Sequence, residues 1–546
     1  MKKLVAGSLL LSARSAGVLL LLFTSTASAQ ASPYVPLDDV AYVYIDALMA
    51  RGELRQLGSN ERPYTVAAIT QALASSRRRL DRGALRSYAE GLEQALIKTT
   101  VEGAAPRRTE RADRDQRGRD AFGARLSGAF YAFAQSSGRR ELMLADDSNG
   151  ADPGITGRLV LAGGPVVGML RVIGDTRLND DPEFAGRKDR DIGGRTEDGY
   201  VSGQWRYGEL FIGRAARNWG PSTLPGLVIG DYAYSYDHLY GRFGTPRIHF
   251  ASLFAKLDSD PLGGGRVSNR YLAAHRLAGR IGRIELGINE SILLSGEGRS
   301  VDVGMLNPLN IYALSWRNEK LDGNLMLGAD AALRTRRFGN WSAEILIDDL
   351  QLDRCDAVCE EPSSYGLTLA AEGLPLHGAQ KWFASYTRVS SLAYRTPMYS
   401  ERYASFDVGL GRGFSDYDEA RIGLDLALVP RIPVKLYLAH RRQGAGDYRA
   451  AFPDTSQYRD TPGFLMPLTA EVQRIGLSGG GALGRGFELT ADVGVNRVSH
   501  TMGFSGDTRP IWFDSAEDRT GFEGRVRIGW EPGWTLFKVL HEMPGR

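Results

Sequence analysis

The sequence predicts a large antiparallel transmembrane β-barrel preceded by a small α-helical bundle. Three observations carry this. The last four hundred residues repeat strict apolar/polar alternation in segments of about ten. Phe487, Leu489, Ala491, Val493 and Val495 interleave with Glu488, Thr490, Asp492, Gly494 and Asn496. Beyond the first thirty residues, no stretch approaches twenty consecutive apolar residues, so a membrane crossing must be made by strands. Glycine is abundant, 66 of 546 residues, which suits tight turns more than helices.

The chain opens with Met1-Lys2-Lys3, an apolar run densest at Val18–Phe23, and Ala27-Ser28-Ala29. A basic start, a short apolar core and a small-x-small site read as an export signal cleaved after Ala29. Residues 30–105 then show helical spacing. Val40, Val43, Tyr44, Ala47 and Leu48 fall on one face, with Asp38 or Asp39 as N-cap and Gly52 at the C-terminal end. A second helix follows Thr65 through Val66, Ile69 and Leu73, and a third runs from about Arg82 to Lys98. Residues 106–120 have no apolar face and read as a charged linker.

From Ala121 to Trp530 the strand pattern dominates. Side chains alternate faces along a strand, so each segment presents one oily face and one polar face. The pattern recurs at Trp341–Ile347, Ile422–Leu428, Val434–Leu438 and Val526–Trp530. About 410 residues at roughly 20–25 per strand and connection give ~16–20 strands. Asn179–Gly199, Leu350–Glu361 and Gly444–Pro462 read as long outer loops. The stretch 531–546 reads as a C-terminal tail.

The net charge is +3; Lys2, Lys3 and Arg14 account for all of it, so the exported chain is near neutral. That balance gives no basic field for nucleic acid. His238, His249, His275 and His440 are scattered without metal spacing, no cofactor motif is present, and no nucleophile elbow is found. Neither enzymatic chemistry nor a metal is expected. Cys355 and Cys359 fit a small loop disulfide in an oxidising compartment. The densest candidate binding segment holds Arg214, Arg217 and Trp219, then Tyr232, Tyr234 and Tyr236. Aromatic faces stack on sugar rings, and Arg clamps carboxylates. The same residues equally suit an aromatic girdle followed by a structural turn at Gly220-Pro221.

Three stretches, in order, resemble the Wzi-type capsule assembly family of Gram-negative outer membranes. They are Val35-Pro36-Leu37-Asp38 with Arg62-Pro63-Tyr64-Thr65, Gly213-Arg214 through Trp219-Gly220-Pro221, and Asn307-Pro308-Leu309-Asn310-Ile311-Tyr312 with Gly323–Gly328. The resemblance implies an eighteen-stranded outer-membrane barrel with a periplasmic helical bundle. It implies a non-enzymatic, lectin-like role in holding capsular or exported polysaccharide, with outer-membrane lipid and other capsule export components as partners. The alternative is a porin or sugar-selective channel, because inward-facing Glu344, Asp425, Asp492, Arg421, Lys435, Arg525 and Arg527 suit either an open pore or a cross-braced lumen.

Overall fold

The computed structural model describes residues 31–80, 83–101, 121–138, 140–143, 150–319, 322–350, 361–467, 469–499, 518–532 and 537–542. The export signal, the charged linker and the Cys355/Cys359 pair lie outside these residues. Helices α1 (Ala41–Ala50), α2 (Val66–Leu80) and α3 (Gly83–Leu96) form as the spacing predicts. Asp39 Oδ1 accepts the Ala41 N–H at 2.9 Å, and Thr65 Oγ1 accepts the Ala68 N–H at 3.2 Å. Two of the orphan donors that open a helix are thereby satisfied.

The barrel strands are β1 (Ala121–Gln135), β2 (Gly150–Gly163), β3 (Val166–Asp175), β4 (Gly193–Trp205), β5 (Gly208–Ala215) and β6 (Tyr236–Gly244). They continue as β7 (Ile248–Lys256), β8 (Arg266–Ile281), β9 (Ile284–Glu297), β10 (Asn324–Arg334), β11 (Asn340–Asp349) and β12 (Ser364–Pro375). The last six are β13 (Lys381–Val389), β14 (Tyr417–Val429), β15 (Ile432–Gln443), β16 (Ala470–Gly484), β17 (Phe487–Ser499) and β18 (Arg519–Trp530). Each pairs antiparallel with its neighbour, and β18 returns to β1 through Phe130↔Trp530 to Gln135↔Arg525. The result is a closed eighteen-stranded barrel without edges. Past Trp530 the chain holds a further strand: Phe537–Glu542 pairs with Leu126–Ala121 and prolongs the line of β18. The expected loop at 179–199 is shorter than its composition suggests, because β4 already begins at Gly193.

The alternation has its predicted outcome. Trp341 and Ile345, Ile422, Leu436 and Leu438, and Ile528 are exposed on the outer wall, whereas Glu344, Asp425, Tyr437 and Asn496 are buried inside. Connections alternate in length. Those at 164–165, 206–207, 282–283, 430–431 and 485–486 are two residues long, while those at 176–192, 216–235, 298–323, 390–416 and 444–469 are long. Trp530 stacks on Phe130 and Phe487 at 6.2 and 6.0 Å near the short turns, as an interfacial aromatic girdle requires. The helices sit at that same end. Tyr44 OH donates to Arg431 O at 2.8 Å, and Arg51 forms a bidentate pair with Asp425 at 2.8 and 3.0 Å.

Candidate functional site

The interior of the barrel is built from three segments that enter from opposite ends. From the short-turn end, residues 57–65 rise along the wall. Asn60 Nδ2 donates to Asp330 Oδ1 at 2.6 Å, and Glu61 accepts from Tyr240 OH at 3.0 Å while facing His249 Nε2 at 2.6 Å. From the loop end, residues 216–235 descend. The two meet as a small internal sheet: Glu61↔Trp219 and Arg62↔Asn218 pair antiparallel, and Trp219 bridges onward to Ile229. Gly220 N donates to Asn60 O at 3.0 Å. The wall contributes Glu344, whose Oε1 accepts the Leu227 N–H at 2.7 Å.

The third segment, residues 390–416, lies over this junction. Gly230 N donates to Leu410 O at 2.7 Å, and Tyr394 OH donates to Leu227 O at 2.7 Å. Gly230 and Gly411 allow the approach, since a Cβ on either would strike a backbone carbonyl of the facing loop. Trp219, Leu227, Val228, Ile229, Tyr394, Tyr403 and Leu410 form one buried cluster inside the barrel.

The candidate residues separate into two groups. Trp219 is 0 % exposed, and Arg217 is buried beside it. The Arg217 guanidinium lies 3.6 Å from the Tyr240 ring centroid and 4.6 Å from that of Phe211, and its Nε donates to His238 Nε2 at 2.8 Å. Burial alone would lower the Arg217 pKa, but Tyr34, Tyr240 and Glu209 around it outweigh that and raise it. These two side chains are lumenal packing, and no ring or guanidinium face is left for a polymer outside.

The others lie nearer the loop end. Tyr232 is buried and donates to Glu183 Oε1 at 3.0 Å. Tyr234 is half-buried and donates to Asp181, with its ring between two guanidinium groups, Arg140 at 3.6 Å and Arg195 at 4.0 Å. Arg195 also donates to Ser235 Oγ at 3.0 Å. Burial raises the Tyr232 and Tyr234 phenols. Glu183 adds to the shift at Tyr232, and at Tyr234 Asp181 adds to it against the pull of Arg140, so both stay protonated donors. Arg214 is partly exposed and pairs with the exposed Asp237 at 2.6 Å; half-buried Tyr236 precedes Asp237, opposite Ala215, with its ring 5.7 Å from that of His238. Together Arg140, Arg195, Tyr234, Arg214 and Asp237 make a charged and aromatic rim, edged by the exposed residues 185–190; its guanidinium groups are paired, Arg140 with Asp181 and Glu183 at 3.5 and 3.6 Å and Arg195 with Glu197 at 3.2 Å.

Sequence reasoning misses residues 390–416 altogether. It also misses Arg140, whose sequence neighbourhood is unremarkable and whose role comes from a ring 94 positions away. The inward charges are partnered: Arg276 holds Asp330 at 2.5 and 3.0 Å, Arg474 meets Asp492 at 2.9 Å, and Arg421 meets Glu419 at 2.8 Å. Of the two architectures open to the inward stripe, a cross-braced lumen is the one observed. A cavity of about 430 Å³ persists between α1 and the loop tip, lined by Asp39, Asp46, Arg62, Asp231 and Lys435. Among the described residues no group of three or more metal-ligating side chains is found.

The fold and interior define a class: an eighteen-stranded outer-membrane-type barrel whose lumen is filled by its own loops and N-terminal segment. Within that class, the chain has the fold of Wzi from Escherichia coli, described as an outer membrane protein involved in group 1 capsule assembly and a carbohydrate-binding β-barrel. The two share 11 % identity over 91 % of this chain and 99 % of that one, with a TM-score of 0.57. OpdK and OprD from Pseudomonas aeruginosa align more loosely. OpdK has 12 % identity, 77 % and 99 % coverage and a TM-score of 0.41; OprD has 10 %, 77 % and 95 %, and 0.40. No protein-family model and no curated protein sequence matches the chain.

Proposed function

We propose that this protein is a non-enzymatic, lectin-like outer-membrane protein that holds capsular or exported polysaccharide at the cell surface. The observation that carries the reading is the internal sheet of Glu61-Arg62, Asn218-Trp219 and Ile229. It joins a segment from one barrel mouth to a loop from the other, so the lumen serves as a core and the barrel as a platform. A platform acts through its outer rim. By the usual asymmetry of such barrels the short turns face the periplasm, which puts α1–α3 there and the long loops outside. The likeness to a carbohydrate-binding barrel supports polysaccharide as the ligand.

Within the rim, Tyr234 flanked by Arg140 and Arg195, together with Arg214, is the proposed contact surface. Guanidinium groups held beside a ring suit the carboxylate of an acidic sugar. Trp219 and Arg217 contribute by fixing the loop that presents Tyr232, Tyr234 and Tyr236.

The test compares a deletion strain with one complemented by wild type and by an Arg140→Ala/Arg195→Ala variant. Polymer on cells and polymer in the medium are measured separately. Loss from the cell with gain in the medium, partly reproduced by the double variant, supports the reading. Unchanged attachment together with large steady currents from purified protein in planar bilayers replaces it with a channel.

A further inference from the structure

The connection at 298–323 behaves unlike the other long loops. Its residues 298–319 fold down over the outside of the barrel instead of into it. In β8, Arg270 and Arg276 face the lumen, so Tyr271, Ala273 and His275 point outward; in β9, Asn289 and Ser291 face inward, so Glu290, Ile292 and Leu294 point outward. These outward side chains are nevertheless buried or half-buried, because helices α4 (Val303–Leu306) and α5 (Tyr312–Asn318) cover them. Met305 and Tyr312 pack with Tyr271, Ala273, Ile292 and Leu294 in one cluster.

A polar latch fixes the cover. Glu290 Oε1 accepts the Tyr312 N–H at 3.2 Å, and its Oε2 accepts the Ala313 N–H at 3.3 Å. His275 Nδ1 lies 3.1 Å from Glu290 Oε1 and its Nε2 lies 3.0 Å from Tyr312 OH, with the two rings stacked at 4.3 Å. An acid and an imidazole on a lipid-facing wall would be costly unless satisfied, and this segment satisfies them.

The other face of the segment is apolar and uncovered. Leu309 is 83 % exposed and Val303 78 %, and Leu306, Ile311, Leu314 and Trp316 are exposed with them. The patch continues the barrel's own lipid-facing belt at Leu277, Leu286 and Ile288, all exposed on β8 and β9. Several of the segment's polar groups bond within it, and the exposed Asp302 accepts the Gly304 N–H at 2.8 Å. Trp316 Nε1 donates to Gly323 O at 3.1 Å, Leu309 N to Asn307 Oδ1 at 3.1 Å, Asn310 Nδ2 to Gly304 O at 3.2 Å, and Ser315 Oγ to Asn310 Oδ1 at 3.1 Å. Internal satisfaction of this kind is what a chain needs before it can enter hydrocarbon.

We infer that residues 303–316 lie in the outer leaflet with this face against lipid acyl chains, forming a lateral membrane anchor clipped to the barrel wall, with the exposed Asp302 at one end of it. Arg317 and Glu319, exposed at the end of α5, then sit where headgroups begin. This inference is independent of the polysaccharide reading.

The test uses full-length protein in phospholipid vesicles, with Cys355 and Cys359 changed to Ser. A nitroxide label is placed in turn at Leu309→Cys, at Ile288→Cys in the belt and at Ala185→Cys in an exposed loop. Heat-modifiable gel mobility confirms the barrel for each. Collision rates with oxygen and with a water-soluble nickel chelate are read by spin relaxation. A Leu309 label whose oxygen-to-nickel ratio matches Ile288 supports the anchor, and adding Glu290→Ala should shift that ratio toward Ala185. A ratio matching Ala185 in the unaltered latch overturns it, placing the face in water. Low access to both probes also overturns it, meaning that protein covers the patch.

Discussion

Trp219→Ala tests the view that the Trp219 segment is a plug and not a sugar platform. The indole is fully buried at the junction of the internal sheet. Removing a buried Trp side chain costs about 3–5 kcal/mol when the site cannot collapse. Collapse is hindered here, because Gly226 already packs so tightly on the Trp219 carbonyl that a Cβ could not be added. The wall is held by a continuous antiparallel ladder that does not pass through Trp219, so the loss falls on docking of the loop. With tenfold per 1.4 kcal/mol, the undocked population rises by roughly 10² to 4 × 10³-fold. The assay is single-channel recording in planar bilayers, where open probability should rise by that factor while gel mobility of the barrel is unchanged. Trp219→Phe should be nearly silent, because the indole N–H has no hydrogen-bond partner to lose and the ring still fills most of the space. The reasoning is refuted if Trp219→Ala leaves conductance unchanged yet abolishes binding of polymer to the intact protein, since the ring would then meet polymer directly.

Three further outcomes follow from the same interior. Asp330→Ala strands Arg276, which is 2 % exposed, and should cost about 3–5 kcal/mol, whereas Asp330→Leu with Arg276→Met removes the stranded charge and should cost less than the two single changes summed, though the Asn60 and Asn289 amides lose their acceptor; a double-mutant cycle in denaturant measures this, and additivity would contradict it. Asp416 accepts three backbone N–H groups, from Gly446, Leu465 and Met466 at 2.8, 2.7 and 3.0 Å, so Asp416→Ala should cost about 1–3 kcal/mol per orphaned donor and open residues 444–467 to proteolysis. The Asp38 side chain is 58 % exposed; the desolvation it feels would raise its carboxyl, but Arg171, paired at 2.7 Å, and Arg527 outweigh that and hold it below the usual range. A carboxyl depressed in the fold stabilises above its unfolded pKa of about 4 and loses that contribution only as pH falls through the folded value. The N-terminal segment should therefore stay protease-resistant at pH 4 and loosen in stronger acid, and Asp38→Asn should loosen it at neutral pH.

The barrel was legible because its two media are written in alternate residues: Ile422, Leu436 and Ile528 meet lipid, and Asp425, Tyr437 and Asn496 do not. The helices were legible for the matching reason, a period of 3.6 with Asp39 and Thr65 at the starts. The interior was not. A filled lumen and a sugar site draw on the same residues, since both need rings with polar edges and guanidinium groups that stack. Trp219, Arg217 and the three tyrosines therefore read alike, although Trp219 is enclosed and Tyr234 stands near the rim. Burial of residues 390–416 comes wholly from contacts far along the chain, such as Tyr394 with Leu227, and no local pattern announces it.

The sequence does carry one signal of the outer cover. Along β9 the outward row reads Ile284, Leu286, Ile288, Glu290, Ile292, Leu294. A single acid in an otherwise lipid-facing row must be neutralised, paired or covered. The cover is the segment that starts just beyond the same strand, and its Tyr312 also satisfies His275 in the adjacent outward row. A break in the oily stripe thus marks where the wall stops facing lipid directly. The same logic applies inside, where Glu344 meets the descending loop through Leu227 and Asp330 meets the rising segment through Asn60. In each case a carboxylate on the wall fixes one connection to one height, which lets long loops on a uniform barrel adopt a single arrangement.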